Sequence, residues 1–244
     1  MSIIINDLDE TLIGFCDLET DFFNLMCINK HYYNLIVNNK LFMQWKQCLS
    51  VKCFNNKNEL FIKSCSSGLL LFSKYLVFKH NINIHHDDES AFINSCDTGH
   101  IDVAKWLIDL SKEPGFSSID IHSNNECAFI WSCDNAQINV AKWLIDLSKE
   151  PGFTLIDIHA HNECAFRWSC ENGHLDVAKW LIDLSRQADF SLIDIHADRE
   201  SAFKKSCRYN HLEVANWLID LSNQPGFTPF SNELISRYYP KKIE

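Results

Sequence analysis

Between Ile101 and Leu110 the apolar positions are Ile101, Val103, Ala104, Trp106, Leu107, Ile108 and Leu110, while Asp102, Lys105 and Asp109 fall at i, i+3 and i+7. One narrow polar stripe on an otherwise apolar segment predicts a helix covered on most of its sides. The stretch before it, "ESAFINSC" at 89–96, predicts a shorter helix that buries Ala91, Phe92, Ser95 and Cys96 at i, i+1, i+4 and i+5. Between the two helices stand Gly99 and, in later copies, Gly173 and Asn210, residue types that tolerate the left-handed conformation ending a helix. Ala136 holds that position in one copy, at an expected cost of about 1 kcal/mol.

This pattern recurs. "VAKWLIDLS" stands at 103–111, 140–148 and 177–185, and "VANWLIDLS" at 214–222. Trp106, Trp143, Trp180 and Trp217 are spaced by 37 residues, as are Cys96, Cys133, Cys170 and Cys207. A degenerate copy, "NELFIKSCSSGLLLFSKYLVF", precedes them at 58–78. A period of this size predicts a repeat array in which no helix pair can cover its own apolar faces, so that each unit presents the same surface to the next. Five units are expected, at about 58–82, 83–119, 120–156, 157–193 and 194–230 within 56–230, with 1–55 as a separate N-terminal segment and 231–244 as a cap or tail. The four recurring tryptophans are expected in the core. Pro114-Gly115, Pro151-Gly152 and Pro225-Gly226 stop the second helix, and Phe116, Phe153, Phe190 and Phe227 are expected to fold back onto the array. The end, "FSNELISRYYPKKIE", predicts a short helix from Ser231 before Pro240.

At "AFRWSCENGHLDVAKWL" the units resemble ankyrin repeats: Ser169-Cys170, Gly173-His174 and Val177-Ala178-Lys179-Trp180-Leu181-Ile182 stand at the family's Ala-Ala, Gly-His and second-helix positions, and "IDIHADRE" at 193–200 matches its hairpin finger. The period is four residues longer than the family's usual 33 or so, and Thr-Pro is lacking. The resemblance implies an all-α, ankyrin-type helical repeat solenoid that binds a target protein on its concave face. Arrays with Cys and Trp at these positions resemble those of large DNA viruses of protists. The segment 8–47 resembles an F-box, with Asp9 where the F-box has proline; this implies recruitment of a Skp1-type ubiquitin-ligase adaptor through Leu8, Leu12, Ile13 and Leu18. A second reading of 1–55 is a helical cap over the apolar first unit.

Composition narrows the function classes. The formal charge of −10 falls mostly on the array, and an acidic array repels phosphate backbones, so nucleic acid is not an expected partner. No apolar run approaches the roughly 18–20 residues that span a bilayer, and "SIIIN" lacks the basic flank and length of a signal peptide, so a cytosolic or nuclear setting is expected and no membrane partner. The cysteines Cys65, Cys96, Cys133, Cys170 and Cys207 share one position in successive units, too far apart for disulfides, and read as small buried hydrophobes. His85, His122, His159 and His196 recur one unit apart, which is too wide for one metal ion. The chain shows no nucleophile elbow, phosphate loop or dinucleotide fingerprint, so no catalytic residue, cofactor or metal is expected.

The target-binding face is expected where the copies disagree, since positions fixed by stacking are shared. These are Asn125, His161 and Arg199 at the finger tips, Asn94, Trp131, Arg167, Trp168, Lys204 and Lys205 on the first helices, and Tyr209 at the end of one. Trp131 and Trp168 are the expected anchors; the alternative is that both merely pack between first helices. The rival to an interaction protein is a structural or virion-associated repeat protein with no adaptor function.

Overall fold

A computed structural model of the chain describes residues 56–239. The predictions on the N-terminal segment, including Leu8, Leu12, Ile13 and Leu18, lie outside the described residues. Five helix pairs follow one another: α1 (Lys57–Ser66) with α2 (Leu70–Lys79), α3 (His86–Asp97) with α4 (Ile101–Ser111), α5 (Ser123–Asp134) with α6 (Ile138–Ser148), α7 (Ala160–Glu171) with α8 (Leu175–Ser185), and α9 (Ala197–Arg208) with α10 (Leu212–Ser222). A last helix, α11 (Asn232–Tyr238), starts where Ser231 accepts the Leu234 N–H at its N-cap. The described residues contain no strand.

Each pair closes through the same turn. The His174 N–H bonds to the Ser169 carbonyl at 2.8 Å and the Gly173 N–H to that of Cys170 at 3.3 Å, the paired reverse bonds of a Schellman end with Gly173 at φ 79°. Ala136 takes this position at φ 56°, the strained conformation expected of it. A Cβ on Gly173 would meet the His211 ring at 2.5 Å, as one on Gly68 would meet His100, so these histidines pack on the turn of the preceding unit.

Neighbouring first helices lie close together along the array, whereas the second helices approach chiefly the first helix of their own pair. Small residues make this possible. Ala91, Ala128, Ala165 and Ala202 are at most 1% exposed, and the buried serines beside them bond inward, as Ser169 does to Ala165 at 2.7 Å and to Cys133 of the preceding unit at 3.3 Å. The first helices therefore form the inner side of the solenoid.

Two expectations need correction. The deepest aromatic residues are Phe61, Phe92, Phe129, Phe166 and Phe203, all fully buried, while Trp106, Trp143, Trp180 and Trp217 are only half-buried. Each tryptophan reaches across the interface to the phenylalanine of the preceding unit, with ring centroids 6.3 Å apart from Phe61–Trp106 to Phe166–Trp217. Lysines of the preceding unit, Lys74, Lys105 and Lys142, lie 5.9 Å over Trp106, Trp143 and Trp180. A tryptophan is too large to be enclosed where the second helices spread apart, so it serves as a staple at the interface rim.

The finger is likewise no hairpin. Three consecutive residues in each unit take left-handed conformations: Asp87-Asp88-Glu89, Asn124-Asn125-Glu126, His161-Asn162-Glu163 and Asp198-Arg199-Glu200. Side chains do the work of a ladder there. Asp120, for example, accepts the His122 N–H at 2.9 Å, and Glu89 of the preceding unit accepts the Asp120 N–H at 3.3 Å. Asn and Asp tolerate this backbone better than other residues with a Cβ, which accounts for their use at the tips.

Beyond the last pair, Phe230 is 5% exposed and stacks on Phe203 at 5.0 Å, covering the apolar end of the last unit.

Candidate partner-binding face

The inner helices bring some of the predicted residues together and commit others elsewhere. Asn94, Trp131, Trp168 and Lys205 occupy one equivalent position on α3, α5, α7 and α9, and all are half-buried. They form a line along the array. Three residues further along each helix stand Asp97, Asp134, Glu171 and Arg208. Asp97 accepts from the Asn135 side chain at 2.6 Å, Asp134 from Asn172 at 2.7 Å, and Glu171 from Lys205 at 2.5 Å, so each acid is fastened to the next unit.

Burial raises the Asp97 and Asp134 carboxyls above the ordinary range. At Asp134 the neighbouring Asp97 and Glu171 push in the same direction and His174 opposes them. Asp97 and Asp134 thus carry their charge at a cost to the fold.

Arg167 and Lys204 are engaged in bonds within the array. Arg167 donates to the carbonyls of Asn162 at 2.7 Å and His161 at 3.1 Å and to Asp198 of the next unit at 2.6 Å, leaving its side chain 11% exposed. Lys204 donates to the Arg199 carbonyl at 2.6 Å and to Glu200 at 3.1 Å, and lies 5.6 Å over the Tyr238 ring. Both hold the carbonyls of a left-handed turn, where the other units place the buried Ile93 and Ile130. The tips Asn125, His161 and Arg199 are exposed, as is Tyr209 at the end of α9. Asn125 and His161 border an open polar hollow with Asp88, Asp120 and His122.

The recurring first histidines belong to a contact that the sequence reading missed. His85 Nδ1–H donates to Glu89 at 2.7 Å and its Nε2 accepts from Ser117 at 2.9 Å; His122 joins Glu126 and Thr154 at 2.8 Å each, and His159 joins Glu163 at 2.8 Å and Ser191 at 2.9 Å. The glutamates also hold the Asp120, Asp157 and Asp194 N–H groups of the next unit at 3.1–3.3 Å. Hydroxyl, imidazole and carboxylate are the groups of a nucleophilic triad. Here the chain of bonds joins each unit to the next at three successive interfaces, which makes it a clamp. The last unit keeps only half of it: His196 Nε2 still meets the Thr228 hydroxyl at 2.7 Å and its carbonyl at 2.9 Å, but Glu200 pairs with Lys204 instead. The recurring His-x-x-x-Glu spacing was the visible signal.

Among the described residues the recurring thiols are held in the protonated, unreactive form by burial. Cys65, Cys96, Cys133 and Cys170 are fully buried, and burial pushes Cys65 up to about 12 and Cys207 up to about 11. Among the described residues no group of His, Cys, Asp and Glu is arranged to hold a metal ion, and no helix is long and apolar enough to cross a membrane.

No curated protein matches this chain. Residues 60–155 match the family model for ankyrin repeats, in three copies, so the described array is an all-α, ankyrin-type helical repeat solenoid, a type of protein–protein interaction module.

Proposed function

We propose that this array holds a target protein on the face formed by its first helices and turn tips. The observation that carries the reading is the line of equivalent positions on α3, α5, α7 and α9, where stacking demands nothing in common and two successive units place tryptophan. Large aromatic residues that are partly open on a face of varied composition are typical anchors of binding energy. Asn125, His161, Arg199 and Tyr209 extend the face at its edges.

The test begins with a random-peptide display selection on the full chain. Trp131→Ala with Trp168→Ala should weaken a selected binder by about 2 kcal/mol or more, the hot-spot threshold, with little change in melting temperature. Trp143→Ala with Trp180→Ala should instead destabilise the array, by about 3 kcal/mol each, near the lower end of the range for large aromatic side chains because these are half-buried. Equal destabilisation by both pairs would show that Trp131 and Trp168 only pack between helices.

Recruitment of a Skp1-type adaptor by the F-box-like segment is supported by its sequence resemblance. Leu8→Asp with Leu12→Asp should abolish adaptor binding and leave the array folded. If the intact protein binds no such adaptor at micromolar concentrations, the segment is a cap and the array works without it.

A further inference from the structure

The outer side of the solenoid shows how this chain treats a partly open tryptophan: Trp106, Trp143 and Trp180 each lie under a lysine of the preceding unit, 5.9 Å from the ring centroid. Trp131 and Trp168 on the inner side have no cation over the ring among the described residues, and one helical turn along from each stands an acid. Asp134 lies one helical turn beyond Trp131 and Glu171 one turn beyond Trp168, with Asp97 in line on α3. Asp97 and Asp134 spend only Oδ1 on the neighbouring asparagines, and Oδ2 has no hydrogen-bond partner among the described residues. The face therefore offers two aromatic surfaces and the unshared Oδ2 atoms of Asp97 and Asp134, while the lysine on the same line, Lys205, is spent on Glu171.

We infer that the occupant of the inner face is an extended protein segment bearing lysine or arginine at every third residue, whose cationic side chains lie over Trp131 and Trp168 beside Asp97 and Asp134. This rests on the reading that the inner face is the binding face, and adds the chemistry of what binds there. The spacing follows from geometry. Packed helices stand about 8–10 Å apart, and a polyproline-type segment rises about 3.1 Å per residue with three residues per turn, so every third side chain meets the next unit on the same side. A cation over an indole face gains from the ring quadrupole, and a flanking carboxylate adds a charge-assisted hydrogen bond. Burial makes Asp97 and Asp134 costly to ionise, and an incoming cation offsets that cost.

The experiment measures binding of three decapeptides to the full chain by calorimetry: one with lysine at every third position between serines, one with glutamate in place of lysine, and one with the same lysines grouped at one end. The spaced lysine peptide should bind, and the glutamate peptide should not. The grouped peptide should bind about 10-fold more weakly than the spaced one. Trp131→Phe and Trp168→Phe, which keep an aromatic ring for packing but weaken the cation site, should each weaken the spaced peptide about 5-fold. Asp134→Asn should weaken it similarly and leave the melting curve no worse. Equal binding of spaced and grouped peptides, or indifference to the two tryptophans, would overturn the inference and leave only general attraction to an acidic protein. If displayed peptides depend on Trp131 and Trp168 but carry no lysine or arginine, the chemistry fails while the face stands. If no displayed peptide depends on those tryptophans, the face itself fails.

Discussion

Glu126→Ala removes the centre of one inter-unit clamp, and its cost follows from the bonds it breaks. The carboxylate accepts from His122 at 2.8 Å and from the Asp157 N–H at 3.1 Å, and it is 8% exposed. A hydrogen bond to a charged group contributes about 1.5–3 kcal/mol, and the Asp157 N–H loses its partner in part-buried surroundings. His122 also loses the group that fixes its proton on Nδ1, which weakens its bond from Thr154. Against this, Glu126 Oε2 is enclosed without a hydrogen-bond donor, so removing it recovers part of the loss. The balance is a destabilisation of about 2–3 kcal/mol, or about 5–10 °C in melting temperature for an array of this size. The same change at Glu200 is the control, because that glutamate holds only Lys204 and is 32% exposed; it should cost about 0–1 kcal/mol. Urea denaturation followed by circular dichroism measures both. Equal losses at the two sites would refute the clamp, since the residue type and backbone position are the same while Glu200 holds neither a histidine nor the next unit among the described residues.

Ala136→Gly should stabilise the array by about 0.5–1 kcal/mol in the same assay, because glycine takes φ 56° without the penalty that a Cβ brings. Asp134→Asn should raise the melting temperature at pH 7. The raised carboxyl contributes stability below its ordinary value of 3.8 and loses it as pH rises through the folded-state value, so the gain should shrink as pH falls and vanish well below 3.8; a gain that does not shrink on acidification would remove burial of charge as its cause.

The helix pairs were legible because their apolar positions repeat at helical spacing in every unit, and the turn at Gly173 because few residues take its conformation. The depth of Trp143 was not. Seven apolar residues in ten mark a helix as covered without saying which of them sits at the rim, and that depends on how far neighbouring second helices spread. The clamp escaped for a different reason. His122 and Glu126 look like an ordinary pair one helical turn apart, yet the backbone between them is left-handed, and the Asp157 N–H that Glu126 holds belongs to the next unit. Arg167 and Lys204 vary between copies together with the way the same turn is finished, by a buried isoleucine or by a cation on its carbonyls.

The central claim is that partners meet the inner tryptophans and not the outer ones. Fluorine NMR of the full chain with all seven tryptophans replaced by 5-fluorotryptophan reads them separately, once each signal is assigned by single substitution. On adding the spaced lysine peptide or a displayed binder, the signals of Trp131 and Trp168 should shift and those of Trp106, Trp143, Trp180 and Trp217 should stay in place. Shifts at the outer four with none at Trp131 and Trp168 would place the binding face on the opposite side of the solenoid and contradict the account.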